Sequence, residues 1–240
     1  MTELNTDIAY NVGAFLGKLI SRNNHRYRSW EHCFLHFKKY RFDLSNQAID
    51  LASLHLAFFL ASWGMYRGSS KLLTENDYRV HEPVVVALLD TRYASLWDLN
   101  IHSPKKDVFP VSLLFQLVEE LRGKYRGAGF EPTNTLITKV LLGTLCCTPA
   151  HDTNFKLGVK AWNNLQDDTS AKFPAEFGRK SINGLIRFYH RHKDAFDATK
   201  AETMEGNVPY PAMKLVDMYF WSLGAQQEKA TKDAEDAGSE

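Results

Sequence analysis

NTLITKVLLGTLCCTPAHDTNF, residues 134–155, is the stretch on which the fold class turns. Leu136, Val140, Leu141, Leu145 and Cys146 recur near helical spacing, and Lys139 is the single formal charge between Asn134 and His151. The pattern predicts a buried helix from Asn134, stopped by Pro149, whose ring cannot continue an α-helix. The turn Thr148-Pro149-Ala150-His151 then delivers Asp152 to the start of the next helix. An apolar helix that ends on a carboxylate holds an acid at a fixed point. Two roles are open to Asp152, a cap for the helix beginning near Thr153 and a functional acid. They are compatible, because N–H groups and the dipole at a helix N-terminus favour a charged carboxylate.

Outward from this stretch the patterning stays helical. Ile8, Val12, Phe15, Leu16, Leu19 and Ile20 form one apolar stripe. In Arg26–Phe42 aromatics alternate with bases, and Trp30, Phe34 and Phe37 share a face that predicts core. Asp43 and Ser45 are N-cap candidates for a helix over Gln47–Trp63. Two short helices are expected over Glu82–Leu99, one over Pro110–Arg122, then a Gly-rich loop over Gly123–Asn134. After Asp152 a helix is expected to about Leu165. A long one follows within Phe173–Phe196, with Phe177, Ile182, Leu185, Ile186 and Tyr189 inward. A loop over Ala198–Pro209 precedes a last helix over Tyr210–Gly224, closed by the glycine. The expected fold is all-α, about ten helices in one domain over residues 1–227, two lobes sharing a central cleft.

The 240 residues are 44% hydrophobic and 24% charged, an ordinary globular composition. No apolar run approaches the roughly 18–20 residues needed to cross a bilayer. The N-terminus lacks the pattern of a signal peptide. Three cysteines, two of them adjacent, form neither a disulfide framework nor a CxxC knuckle, so a reducing cytoplasm is expected. The net charge of +1 hides an asymmetry. Residues 228–240 carry five acids against two bases and are expected to be a disordered acidic tail. Lys18–Arg41 carries seven bases and one acid, which suits either a polyanion partner or a solvated helix face.

Three features could carry chemistry. P-loop, GxGxxG, HExxH and GxSxG motifs are all missing, and His190 and His192 point apart on a helix, so no metal and no cofactor is expected. The first feature is Asp152. Breaking an N-glycosidic bond builds positive charge on the sugar, and a fixed carboxylate stabilises that state or orients the attacking water. The second is Trp63–Ser70, SWGMYRGSS with Ser62 included. Gly64 and Gly68 allow a tight turn, Ser69 and Ser70 can contact phosphate, and Met65, Tyr66 or Arg67 could fill the gap left by a flipped base. A plain helix–helix turn reads equally from the same residues. The third is RFYHRH, 187–192, whose Arg187-x4-His192 spacing resembles that of higher-eukaryote-and-prokaryote nucleotide-binding ribonucleases, and also suits a solvated basic face.

Leu136–Phe155 resembles the segment of helix–hairpin–helix DNA glycosylases in which a helix precedes a Pro-x-x-Asp turn; here the turn is Pro149-Ala150-His151-Asp152. SWGMYRGSS resembles that family's turn entering the duplex near the lesion. The chain also resembles small bacterial glycosylases that remove glucosylated hydroxymethylcytosine in defence against phage. The resemblance covers roughly Ser53–Tyr219. It departs at Gly127–Pro132, which stands where a Leu-Pro-Gly-x-Gly hairpin would be, and no lysine precedes a hairpin, so a monofunctional enzyme is implied. What the resemblance implies is a monomer acting on double-stranded DNA with a flipped, modified base. Asp152 would be catalytic, Met65, Tyr66, Arg67, Ser69, Ser70, Lys38, Lys39 and Arg41 would hold DNA, and Trp63 and Trp221 would stack the base. The rivals are a helical ribonuclease using Arg187 and His192, and a non-enzymatic adaptor whose Lys18–Arg41 face docks an acidic partner.

Overall fold

Two glycines make the tightest helix crossing. The computed structural model describes residues 4–22, 24–97, 110–204 and 208–237, with twelve α-helices and no strand among them. Residues 98–99, 205–207 and 238–240, covered by three of the sequence expectations, lie outside the described residues. The chain folds as two compact units, Met1–Arg22 with Pro149–Glu240, and Asn23–Thr148.

The first unit holds α1 (Ile8–Ile20), α9 (Thr153–Asn164), α10 (Arg179–Arg191), α11 (Lys193–Ala198) and α12 (Ala212–Ala237). A Cβ on Gly158 of α9 would run into the Phe220 carbonyl, and one on Gly224 of α12 into the Asn154 carbonyl. These helices therefore meet backbone to backbone, which only glycine permits. Around the crossing Phe155, Phe173, Phe188, Tyr219 and Phe220 interlock, with ring centroids 4.8–6.4 Å apart. α1 packs its Ile8, Val12, Phe15 and Leu19 stripe inward, but Ile20 is exposed and Leu16 half-buried.

Three expectations for this unit are corrected. Gly224 does not cap the last helix; it lies inside α12 as a contact surface. α12 also runs on to Ala237, where disorder was expected from residue 228. Its last turns are rich in strong helix formers and carry a Glu228–Lys232 pair of i,i+4 spacing at 2.8 Å. The helix expected within Phe173–Phe196 is two, because His192 (φ −113°, ψ 19°) leaves helical geometry and starts α11. Ile182, Leu185 and Tyr189 are buried as expected, whereas Ile186 and Phe177 are half-buried.

The second unit holds α2 (Arg28–Tyr40), α3 (Asn46–Ser62), α4 (Lys71–Thr74), α5 (Glu82–Leu88), α6 (Ala94–Trp97), α7 (Val111–Gly127) and α8 (Asn134–Gly143). Ser45 caps α3 through its hydroxyl. Gly64 ends it at φ +76°, with Gly64 N–H donating to Ala61 O (3.0 Å) and Met65 N–H to Leu60 O (2.9 Å), a Schellman closure. α7 runs five residues past its expected end, because buried Tyr125 continues the stripe of Leu114, Leu117, Val118 and Leu121. The Gly-rich loop shrinks accordingly to 128–133.

α8 is shorter than its hydrophobic pattern suggests, and Pro149 is not what stops it. The helix ends at Gly143, which has no room for a Cβ against the Phe59 ring. Thr144 then turns away and bonds Val140 O through its hydroxyl (2.8 Å), and Cys146 takes a left-handed φ of +53° while its N–H bonds Leu141 O (2.7 Å). Thr144–Thr148, the end of this unit, is buried throughout. Cys33, Cys146 and Cys147 are buried and form no disulfide, and burial pushes the Cys147 thiol up to about 12.

Candidate active site

Asp152 sits where the sequence placed it, as the N-cap of α9, with Oδ1 accepting from Phe155 N–H at 3.1 Å. Its side chain is half-buried. The turn before it is fixed from two sides. His151 is 1% exposed and packs on Phe155 and Phe177 (centroids 4.8 and 5.2 Å). Its Nδ1 lies 3.0 Å from Ala175 O. A carbonyl only accepts, so Nδ1 carries the proton. Burial pushes this imidazole down to about 4 despite the Ala175 carbonyl and the Glu176 charge, so it is neutral at pH 7 and acts as a strut.

The second support is a buried ion pair on α12. Asp217 Oδ1 accepts from Ala150 N–H (3.0 Å), and Asp217 Oδ2 accepts from Lys214 Nζ (2.8 Å). The two side chains are 2% and 1% exposed. Lys214 Nζ also lies over the Phe15 ring at 4.8 Å. Burial raises the Asp217 carboxyl above the usual range; Lys214 opposes this, and the negative charge of Asp152 adds to it. Two carboxylates and one ammonium thus share one end of the α9–α12 crossing, and only one carboxylate is open to solvent. Removing either member of a buried pair costs about 3–5 kcal/mol, because the survivor is left uncompensated.

Lys214 and Asp217 were missed in the sequence. At i,i+3 on a helix already read as amphipathic, they look like its solvated face. The signal that could have found them is that YPAMKLVDMYFW has no other charge, so its charged positions face the same apolar surroundings as their neighbours.

The other expected residues are placed as follows. Trp221 of α12 is half-buried, edge-on to Phe15 (5.7 Å) and covered by Lys18 Nζ at 4.7 Å. In the second unit Trp63 is half-buried and stacked on Tyr27 (4.8 Å, 23°), and its carbonyl accepts from Lys139 Nζ (2.8 Å). Met65 and Ser70 are half-buried, and Arg67 and Ser69 exposed. Tyr66 points into a buried relay, its hydroxyl 2.7 Å from His81 Nε2, while His81 Nδ1 lies 2.9 Å from the Tyr125 hydroxyl. Burial holds His81 down at about 3 and Tyr66 up at about 12, so the relay is neutral at pH 7. Lys38 and Lys39 are exposed on α2, over the Phe34 and Tyr40 rings, and Arg41 is half-buried at its end. The basic block itself divides between the units after Arg22.

Arg187 and His192 line one small cavity of about 20 Å³ beside α10. Among the described residues no cluster of His, Cys, Asp and Glu could hold a metal, and no helix is long and apolar enough to cross a membrane. No family model, no curated protein and no solved structure matches the chain.

Proposed function

We propose that the chain is a monofunctional DNA N-glycosylase that hydrolyses the bond between a modified base and deoxyribose, in defence against phage. The observation that carries this reading is the Asp152 carboxylate, held by the start of α9 and by a turn tied to buried Asp217. A rigid, solvent-reached carboxylate suits a transition state with positive charge on the sugar. The buried pair adds to the fit. Asp217 and Lys214 nearly cancel, so Asp152 supplies the net negative charge of the cluster. Two acids in unlike surroundings divide the work, one supporting and one reacting. The bound base would have to leave the helix stack, which a half-exposed acid on one unit requires of a duplex substrate.

The reaction is tested by incubating plain and virally modified duplex with the protein, treating with alkali and resolving strand breaks on a gel. Breaks in modified DNA that vanish in Asp152→Asn, with duplex binding retained, support the reading; full activity in that variant removes it. A second reading has one observation in its favour, the shared cavity of Arg187 and His192. A ribonuclease using them would lose RNA cleavage in His192→Ala and keep it in Asp152→Asn.

A further inference from the structure

The cavity beside α10 holds two buried ring nitrogens without partners, one of them, the Trp162 indole N–H, a donor only. Trp162 of α9 forms its floor and is 9% exposed; its indole Nε1–H has no hydrogen-bond partner among the described residues. His192 Nε2 is buried there with none either. The two rings stand edge to face at 5.6 Å, and Phe188 holds the imidazole from the other side at 4.7 Å. Arg187 and Arg191, i,i+4 on α10, also line the cavity and put two positive charges around it, and Ser170 completes the lining. The Ser170 hydroxyl is already used, donating to Asp168 at 2.7 Å.

Orphaned buried donors are costly, about 1–3 kcal/mol each, unless something fills them. What would fill these is an acceptor, and the rim supplies two positive charges. Two features oppose them: the C-terminal end of α10 contributes roughly half a negative charge, and the carboxylate of Asp168, a full one, is exposed and already engaged by Ser170 and Arg191. The volume admits about one water-sized group, which suits a single oxygen of a larger anion rather than a whole nucleotide. Guanidinium groups pair with phosphate oxygens through forked hydrogen bonds, and the Trp162 indole N–H offers one further donor.

We propose that this cavity is a phosphate site that grips a backbone phosphate of the bound DNA strand, with Arg187 and Arg191 as the clamp and Trp162 and His192 as the floor. It rests on the DNA reading for the source of that phosphate, and not for the existence of the site. Holding is also what the residues suit better than cleavage. One imidazole is poorly equipped to both deprotonate a 2′-hydroxyl and protonate a leaving oxygen, and the nearby Asp168 carboxylate is already bonded to Ser170.

The test follows the indole N–H resonance of Trp162 in the full chain, assigned among the five tryptophans by its loss in Trp162→Phe. Titration with inorganic phosphate should move it to saturation, and a plain duplex should move it the same way and compete with phosphate. Arg187→Ala/Arg191→Ala should abolish both responses. It should also weaken duplex binding about tenfold and lower the slope of log affinity against log salt by about 1. A resonance that ignores phosphate and duplex overturns the site. One that answers phosphate but not duplex overturns its assignment to DNA. Base excision is read separately: Asp152→Asn should stop it without altering the Trp162 response, so failure of the glycosylase reading and failure of this site show in different measurements.

Discussion

Each unit buries a polar cluster, and the two clusters are of opposite kinds. In Asn23–Thr148 it is Tyr66–His81–Tyr125, three neutral rings joined by two hydrogen bonds. In the other unit it is Lys214–Asp217 beneath Asp152, two formal charges fully buried and a third reaching solvent. A neutral relay gives both imidazole nitrogens a partner without burying a formal charge. A buried ion pair carries a desolvation cost of several kcal/mol that apolar residues of similar volume would avoid. Where a fold retains such a pair behind a half-open carboxylate, chemistry is a better account than stability.

The strongest way to break this contrast is Asp152→Asn. Base excision should fall by about 10²–10³-fold or more, with an unfolding midpoint close to that of the parent chain. An unchanged turnover would reduce Asp152 to a cap. Next in size, Asp217→Asn or Lys214→Met alone should cost about 3–5 kcal/mol in denaturant unfolding. The double change Lys214→Met/Asp217→Leu should recover most of that loss and still lack activity. A double variant as unstable as the singles would mean that the pair is structural mortar.

Acid sharpens the same comparison. His151 is lowered in the fold to about 4, so its neutral form stabilises the protein above pH 6.5, and that contribution is lost as pH falls from 6.5 to about 4. The loss is roughly 3 kcal/mol at most. His81, lowered to about 3, keeps losing stability through a wider window, from 6.5 to about 3. Asp217 runs the other way: its raised carboxyl contributes below the ordinary aspartate range and loses that contribution as pH climbs through its folded value. Hydrogen exchange followed by unit should therefore show continuing acid loss in Asn23–Thr148 after the His151 unit has levelled off. The smallest effect is Tyr66→Phe, which strips one bond from the relay and should cost about 1–3 kcal/mol, read as a shift in melting temperature.

The helices were largely legible, and for a simple reason: α1, α2, α7 and α9 carry most of their apolar residues on one stripe, while α3 is apolar nearly all round, with Leu51, Leu54 and Phe58 exposed. Their ends were not. α8 ends at Gly143 because Thr144 (φ −115°, ψ −84°) leaves helical geometry, and Gly224 runs on inside α12 with the Asn154 carbonyl against it; the adjacent sequence signals neither. Asp152 as an N-cap was readable from local chemistry alone. Lys214 and Asp217 were not, since their burial depends on what α1 and α9 lay over them. Tyr66 illustrates the limit from the other side. Its place in an exposed-looking glycine turn suggested a residue offered to a partner, and its hydroxyl is instead turned onto His81, fifteen positions away.

The bare crossing of Gly158 with Gly224 sets a length. The gap between the acid capping α9 and the acid riding on α12 is measured in stacked peptide planes, with no side-chain layer whose thickness selection could adjust. A single methyl at either glycine would meet a backbone carbonyl and pry the helices apart. The chain thus keeps its ruler in the two residues that have no side chain at all.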